Sequence, residues 1–218
     1  MHTAVAIGEI FQGKASREKK DKIETIKTEK YSLYFLFDGI FTLPNTSRAI
    51  AMALKFARAN FAKYEKGNSY RLADLMRDIN VEIVASGLPN PHTAFAAVFV
   101  PVDEDNEAKA SWLGEVGVCM VSNRSIVDLT RRDYKDEKLL GMNNLKPGDF
   151  KEASLKNTKN SILLASDGFY KFMEGKRDDL VRIFNNPRLS STKVILERFV
   201  KNRTFQDAAY ILVKRVGR

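Results

Sequence analysis

The sequence predicts an α+β layered domain, and three observations carry that prediction. Apolar runs suited to buried strands recur at TAVAIGEI, KYSLYFLFDG, TAFAAVFVP, SILLA and AAYILVKRV. Amphipathic helical segments lie in pairs between the second and third of these runs and between the fourth and fifth. Hairpin turns at residues 103–108 and at Asn123–Arg124 give a β-meander in place of regular βαβ alternation, so the sheets are expected to be antiparallel and not of Rossmann type.

In chain order, TAVAIGEI reads as a strand, KASREKKDK as a charged loop, and KYSLYFLFDG as a buried strand that stops at Asp38. An apolar stripe at Ile50, Leu54, Phe61 and Tyr64, closed by Gly67, predicts a first helix. Leu72, Leu75, Met76, Ile79 and Ile83 predict a second, with Ser69 as N-cap and Gly87 as stop. TAFAAVFVP follows the Pro89–Pro91 break and is apolar enough to be covered on both faces. SWLGEVGVCMV and SIVDLT continue the meander, residues 131–159 are charged and irregular with a short helix near Glu137–Leu140, and LKPGDF is a turn. Ser161–Ala165 is a strand ending in Ser-Asp-Gly, residues 178–185 and 191–201 read as helices, and AAYILVKRV closes the chain as a strand.

A chain of 218 residues with 44% hydrophobic and 29% charged residues can bury a substantial core, and one domain over residues 1–218 is expected. The single cysteine, Cys119, sits in the apolar run VGVCMV and reads as a small core residue in a reducing compartment. No segment approaches the roughly 20 apolar residues of a membrane span. MHTAVAIGEIFQGK has no signal-peptide pattern, and a cytoplasmic location is expected. The excess of 36 Lys+Arg over 27 Asp+Glu gives +9, which favours anionic partners in general. It is scattered, without a basic stripe interleaved with aromatics, so neither nucleic acid nor membrane is expected as a partner. His2 and His92 read as terminal and surface residues, and Trp112, Tyr34, Phe35 and Phe37 as core.

Four carboxylates stand where a strongly apolar strand begins or ends. Asp38 follows YFLF, Glu115 precedes VGVCMV, Asp167 follows ILLAS, and Asp207 precedes AAYILV. Ionised carboxylates gathered at buried strand ends repel one another and lose hydration unless cations hold them. Magnesium and manganese favour such oxygen donors and retain waters that can be activated. Asp-Gly at 38/39 and at 167/168 is an ordinary turn dipeptide taken alone; the ordered set gives it weight.

These segments, in this order and spacing, resemble the protein phosphatase type 2C family of metal-dependent serine/threonine phosphatases across almost the whole chain. LYFLFDG, HTAFAAVFV, LGEVGVCMVSNRSIVDLT, LKPGDF, LLASDGFYKFM and QDAAYILV are similar to successive family segments. The resemblance implies a layered sandwich of two mainly antiparallel sheets flanked by helix pairs. It also implies a site holding two Mn²⁺ or Mg²⁺ ions, with a third as an addition. Asp38 would bridge the two ions, the Gly39 carbonyl would contact one, and Asp167 and Asp207 would complete the pair. Asp21 matches the family's early metal-site aspartate, Glu115 falls where a third metal is bound, and Arg17 is the candidate contact to the substrate phosphate.

The activity implied is hydrolysis of phosphoserine or phosphothreonine by a metal-bridging water. The implied partners are a phosphorylated protein and a serine/threonine kinase or its targets, and the chain is expected to act as a monomer. Three positions depart from the family pattern: DGIFTLP lacks the further glycines and nearby histidine, Lys20 replaces an acidic residue, and Glu115 replaces Asp. They motivate an alternative, a pseudophosphatase serving as a regulatory binding module. FDGIFT also resembles the Asp-x-Asp-Gly-Thr loop of haloacid dehalogenases, but Leu36 stands where that chemistry needs its nucleophile.

Overall fold

The computed structural model describes residues 2–14, 20–40, 42–66, 69–103, 106–130, 138–155, 160–201 and 203–217. The strands among these residues are β1 (His2–Phe11), β2 (Lys22–Lys27), β3 (Tyr31–Gly39), β4 (Glu65–Lys66), β5 (Ser69–Tyr70), β6 (Thr93–Pro101), β7 (Ala108–Leu113), β8 (Gly117–Val121), β9 (Ile126–Asp128), β10 (Lys151–Leu155), β11 (Ser161–Ala165) and β12 (Ala208–Gly217). The helices are α1 (Thr46–Asn60), α2 (Leu72–Ala85), α3 (Asp167–Met173), α4 (Arg177–Phe184) and α5 (Leu189–Val200). One five-stranded sheet runs β10-β7-β6-β3-β2 and the other β1-β12-β11-β8-β9, while β4 and β5 pair alone. Every ladder is antiparallel.

The alternation of side chains along β3 builds the layers. Tyr31, Leu33, Phe35 and Phe37 face α1 and α2, where they meet Ala49, Ile50, Leu75, Met76 and Ile79. Tyr34 and Leu36 face the second sheet and pack with Val98, Val118, Leu164 and Ile211. Leu163, Ala165, Tyr210 and Leu212 point the other way, onto Phe169, Leu180, Phe184 and Leu196 of α3, α4 and α5. Strands covered on both faces are therefore buried throughout and mostly apolar, as Tyr31–Phe37 and Thr93–Pro101 are. The layers run helices, sheet, sheet, helices, with two helices on one face and three on the other.

SWLGEVGVCMV is not one strand. It breaks at Gly114, which adopts φ +85° against Ala94, and β7 and β8 enter different sheets. β2 and β10 were not expected, because both are edge strands with exposed charged residues and an interrupted apolar pattern. Phe61 and Tyr64 lie in a turn of 3-10 helix after α1, and Ser69 lies in β5, with Arg71 preceding α2. Gly87 stops α2 with φ +68°, as expected. Ser-Asp-Gly leads directly into α3, a helix the sequence reading did not anticipate. The expected short helix near Glu137–Leu140 is absent from its described part: Leu140 instead bridges Thr93. Glu137 and Gly67 lie outside the described residues. No described helix is long and apolar enough to cross a membrane.

Candidate metal centre

The register brings one end of each sheet to a common edge. Asp21 directly precedes β2, whose Lys22 pairs with Phe37, so it stands beside the Asp38–Gly39 end of β3. In the other sheet Ala165 pairs with Tyr210, placing Asp167 beside Asp207. The backbone N–H of Asp167 donates to Asp38 Oδ2 at 2.7 Å, which joins the two sheets at this edge. Four of the predicted ligands, Asp21, Asp38, Asp167 and Asp207, thus meet from four separate chain segments.

Backbone groups fix their orientations. Asp207 accepts hydrogen bonds from the N–H groups of Gly13 and Lys20, each at 3.0 Å. Asp21 Oδ1 accepts one from Gly39 N–H at 3.2 Å. The buried Thr93 donates its hydroxyl to the Asp38 carbonyl at 2.7 Å, and Thr46 donates to the carbonyls of His92 at 2.9 Å and Ile40 at 3.4 Å. Two threonines therefore pin the backbone on either side of Gly39. Gly39 and Gly168 are needed for close approach and not for a left-handed turn, since neither has a positive φ. A Cβ on Gly168 would lie 1.9 Å from the Asp207 carbonyl oxygen, and one on Gly39 would lie 2.5 Å from Lys20. The glycine of each Asp-Gly pair lets two aspartate-bearing segments touch.

The electrostatics are those of crowded carboxylates. Burial, followed by repulsion from Asp21 and Asp167, raises the pKa of Asp38 well above the usual carboxylate range. Burial raises Asp21 to about 7, with smaller contributions from Asp207 and Asp167, against the opposing Gly39 N–H and Ser166 hydroxyl. Asp21 Oδ2 is buried without a hydrogen-bond partner. An orphaned carboxylate oxygen facing three other aspartates fits a divalent cation, whose charge would remove both the repulsion and the unmet bonding capacity. Among the described residues no group of three or more His, Cys, Asp or Glu side chains is placed to hold a metal ion. The aspartates are instead turned partly to protein donors, although each carboxylate oxygen keeps further lone-pair capacity.

Two sequence expectations fall outside this cluster. Glu115 lies in the β7–β8 connection at the same edge, but it makes no hydrogen bond or ion pair to these aspartates among the described residues. Arg17 lies outside the described residues. Two groups were missed. Thr93 gives no sequence signal apart from opening a strand. Lys171 donates to Asp167 Oδ2 at 2.7 Å and to Gln206 Oε1 at 3.0 Å, and its four-residue spacing from Asp167 was the available clue. At Lys20, one of the departures from the family pattern, it is the backbone N–H that holds Asp207.

No protein-family model and no curated protein sequence matches the chain. Solved structures do. A bacterial serine phosphatase carrying a point substitution superposes with a TM-score of 0.79 at 15% identity, over 98% of each chain. The PPM Ser-Thr phosphatase MsPP from Mycobacterium smegmatis, in complex with cacodylate, gives 0.73 at 15% identity over 96% of this chain and 97% of that one. RsbX in complex with magnesium gives 0.72 at 11% identity over 99% and 96%. This chain therefore has the α+β sandwich fold of the PPM serine/threonine phosphatases.

Proposed function

We propose that this protein is a divergent metal-dependent phosphatase that hydrolyses phosphoserine or phosphothreonine in a protein substrate. The observation that carries the proposal is the convergence of Asp21, Asp38, Asp167 and Asp207 at one sandwich edge, with Asp21 Oδ2 buried and unpartnered. These four side chains, with the Gly39 carbonyl, would hold two Mg²⁺ or Mn²⁺ ions, and Glu115 stands at the same edge for a third.

Each residue has a distinct task. Asp38, buried beside the like charges of Asp21 and Asp167, would be the central ligand. Asp207 is aimed by two backbone N–H groups and Asp21 by one. Thr93 and Thr46 fix the backbone that presents Gly39. Ions bound there would supply an acidified water for in-line attack on phosphorus without a covalent enzyme intermediate. Arg17 is proposed, from the sequence resemblance alone, to neutralise the phosphoryl oxygens.

The test is turnover of a phosphothreonine peptide with Mn²⁺, comparing the native chain with Asp38→Asn and Asp167→Asn and with an EDTA control. Metal-dependent turnover lost in both variants supports the enzyme. A folded native chain with no turnover in Mn²⁺ or Mg²⁺ overturns it. A second reading, a regulatory pseudophosphatase, is favoured by the Lys171–Asp167 ion pair, which places a protein cation on a metal-ligand carboxylate.

A further inference from the structure

We propose that Lys171 is a tethered counter-ion of the metal centre, holding Asp167 in the metal-free protein and competing with the metal for that carboxylate. The inference rests on the metal-centre reading above. The Lys171 ammonium is 2.7 Å from Asp167 Oδ2 and 3.0 Å from Gln206 Oε1, the residue before Asp207. One side chain therefore ties together the two segments of this sheet that carry ligand aspartates. A salt bridge four residues apart on a helix surface is common, but this one ends on a carboxylate that repels both Asp21 and Asp38. The neutralising charge is thus supplied by the chain itself.

The Lys171 side chain is 48% exposed against 17% for Asp167. It can swing into water on its flexible stem while Asp167 stays in place. A divalent ion sharing Asp167 with the ammonium would be repelled by it. Metal binding is therefore coupled to release of Lys171 from Asp167, and the displaced ammonium stays at the rim of the site, where an anionic substrate group arrives.

The experiment is calorimetric titration of Mn²⁺ into the full chain, with folding of each variant checked by circular dichroism. Lys171→Gln is expected to bind Mn²⁺ roughly three- to tenfold more tightly, the range set by losing one partly exposed ion pair and one repulsion of similar size. Lys171→Arg should stay near the native affinity. Lys55→Gln, which makes the same change in net charge on the exposed face of α1, should also stay near native. Equal affinities for the native chain and Lys171→Gln, with binding abolished by Asp38→Asn, would overturn the role of Lys171 and leave the metal centre standing. An equal gain in Lys55→Gln would likewise overturn it. Absence of Mn²⁺ binding in both the native chain and Lys171→Gln would overturn the metal-centre reading as well.

Discussion

The backbone N–H of Asp167 donates to the carboxylate of Asp38 across 129 positions of sequence, at 2.7 Å. This bond links the Asp38 end of β3 in one sheet to the start of α3 beyond the other, and around it the two sheets present their acidic residues to each other. Several measurable consequences come from its neighbourhood.

Asp38→Asn keeps an acceptor for the Asp167 N–H and removes a charge that burial and two aspartates disfavour. In EDTA the variant is expected to melt above the native chain. With Mn²⁺ at 100 times its dissociation constant the native chain gains about 2.7 kcal/mol and the variant gains nothing. Paired thermal melts with and without metal check both statements; a variant stabilised by Mn²⁺ as strongly as the native chain contradicts the placement of Asp38.

Metal-free stability should fall as pH rises from about 4 to about 7. Asp21 has a folded pKa of about 7, above its ordinary 3.8, so the folded state holds that proton more tightly than the unfolded chain. Its contribution is complete below the unfolded value and is lost through the folded one. Asp149 has the opposite sign: Lys138 and the Lys146 N–H lower its pKa, so its contribution is lost on acidification. Denaturant midpoints in EDTA across pH 4 to 8 measure the slope, and Asp21→Asn should flatten it. A slope unchanged in Asp21→Asn would assign it to other groups.

Thr93→Val is close in shape and deletes the hydroxyl that serves the Asp38 carbonyl. Leaving that buried acceptor without its donor should cost about 1–3 kcal/mol. Mn²⁺ affinity should also fall, because the Asp38–Gly39 backbone loses a restraint. Thr93→Ser should restore the affinity even if it leaves a packing defect. Valine with native metal affinity would limit Thr93 to a structural role.

Gly168→Ala forces a methyl group to within 1.9 Å of the Asp207 carbonyl oxygen. Separating α3 from the start of β12 should destabilise the chain by about 1–3 kcal/mol or more and move Asp207 away from its partners. Gly148→Ala, with open space around its Cβ position, is the control. Urea unfolding of the two proteins gives the comparison.

The parts of this protein legible in the sequence are those whose burial is decided by local pattern. Leu33–Phe37, Ala94–Pro101, Ile162–Ala165 and the strand beginning at Ala208 open as continuous apolar runs, and α2 carries its stripe at Leu72, Leu75, Met76, Ile79 and Ile83. The acids at three of these runs were visible for the same reason: Asp38 and Asp167 follow an apolar run and Asp207 precedes one. Tertiary structure decided what local pattern cannot encode. Gly114 sends an apparently unbroken run into two different sheets, since only the partner strands distinguish β7 from β8. β2 and β10 became strands because β3 and β7 offer them free edges, despite their charge. Asp21 sits in a strongly charged stretch yet is 1% exposed, because the chain before β2 is pressed between Gly39 and Asp207. Sequence fixes which residues must leave water; which charges meet once they have done so depends on register and layer packing between segments far apart in the chain.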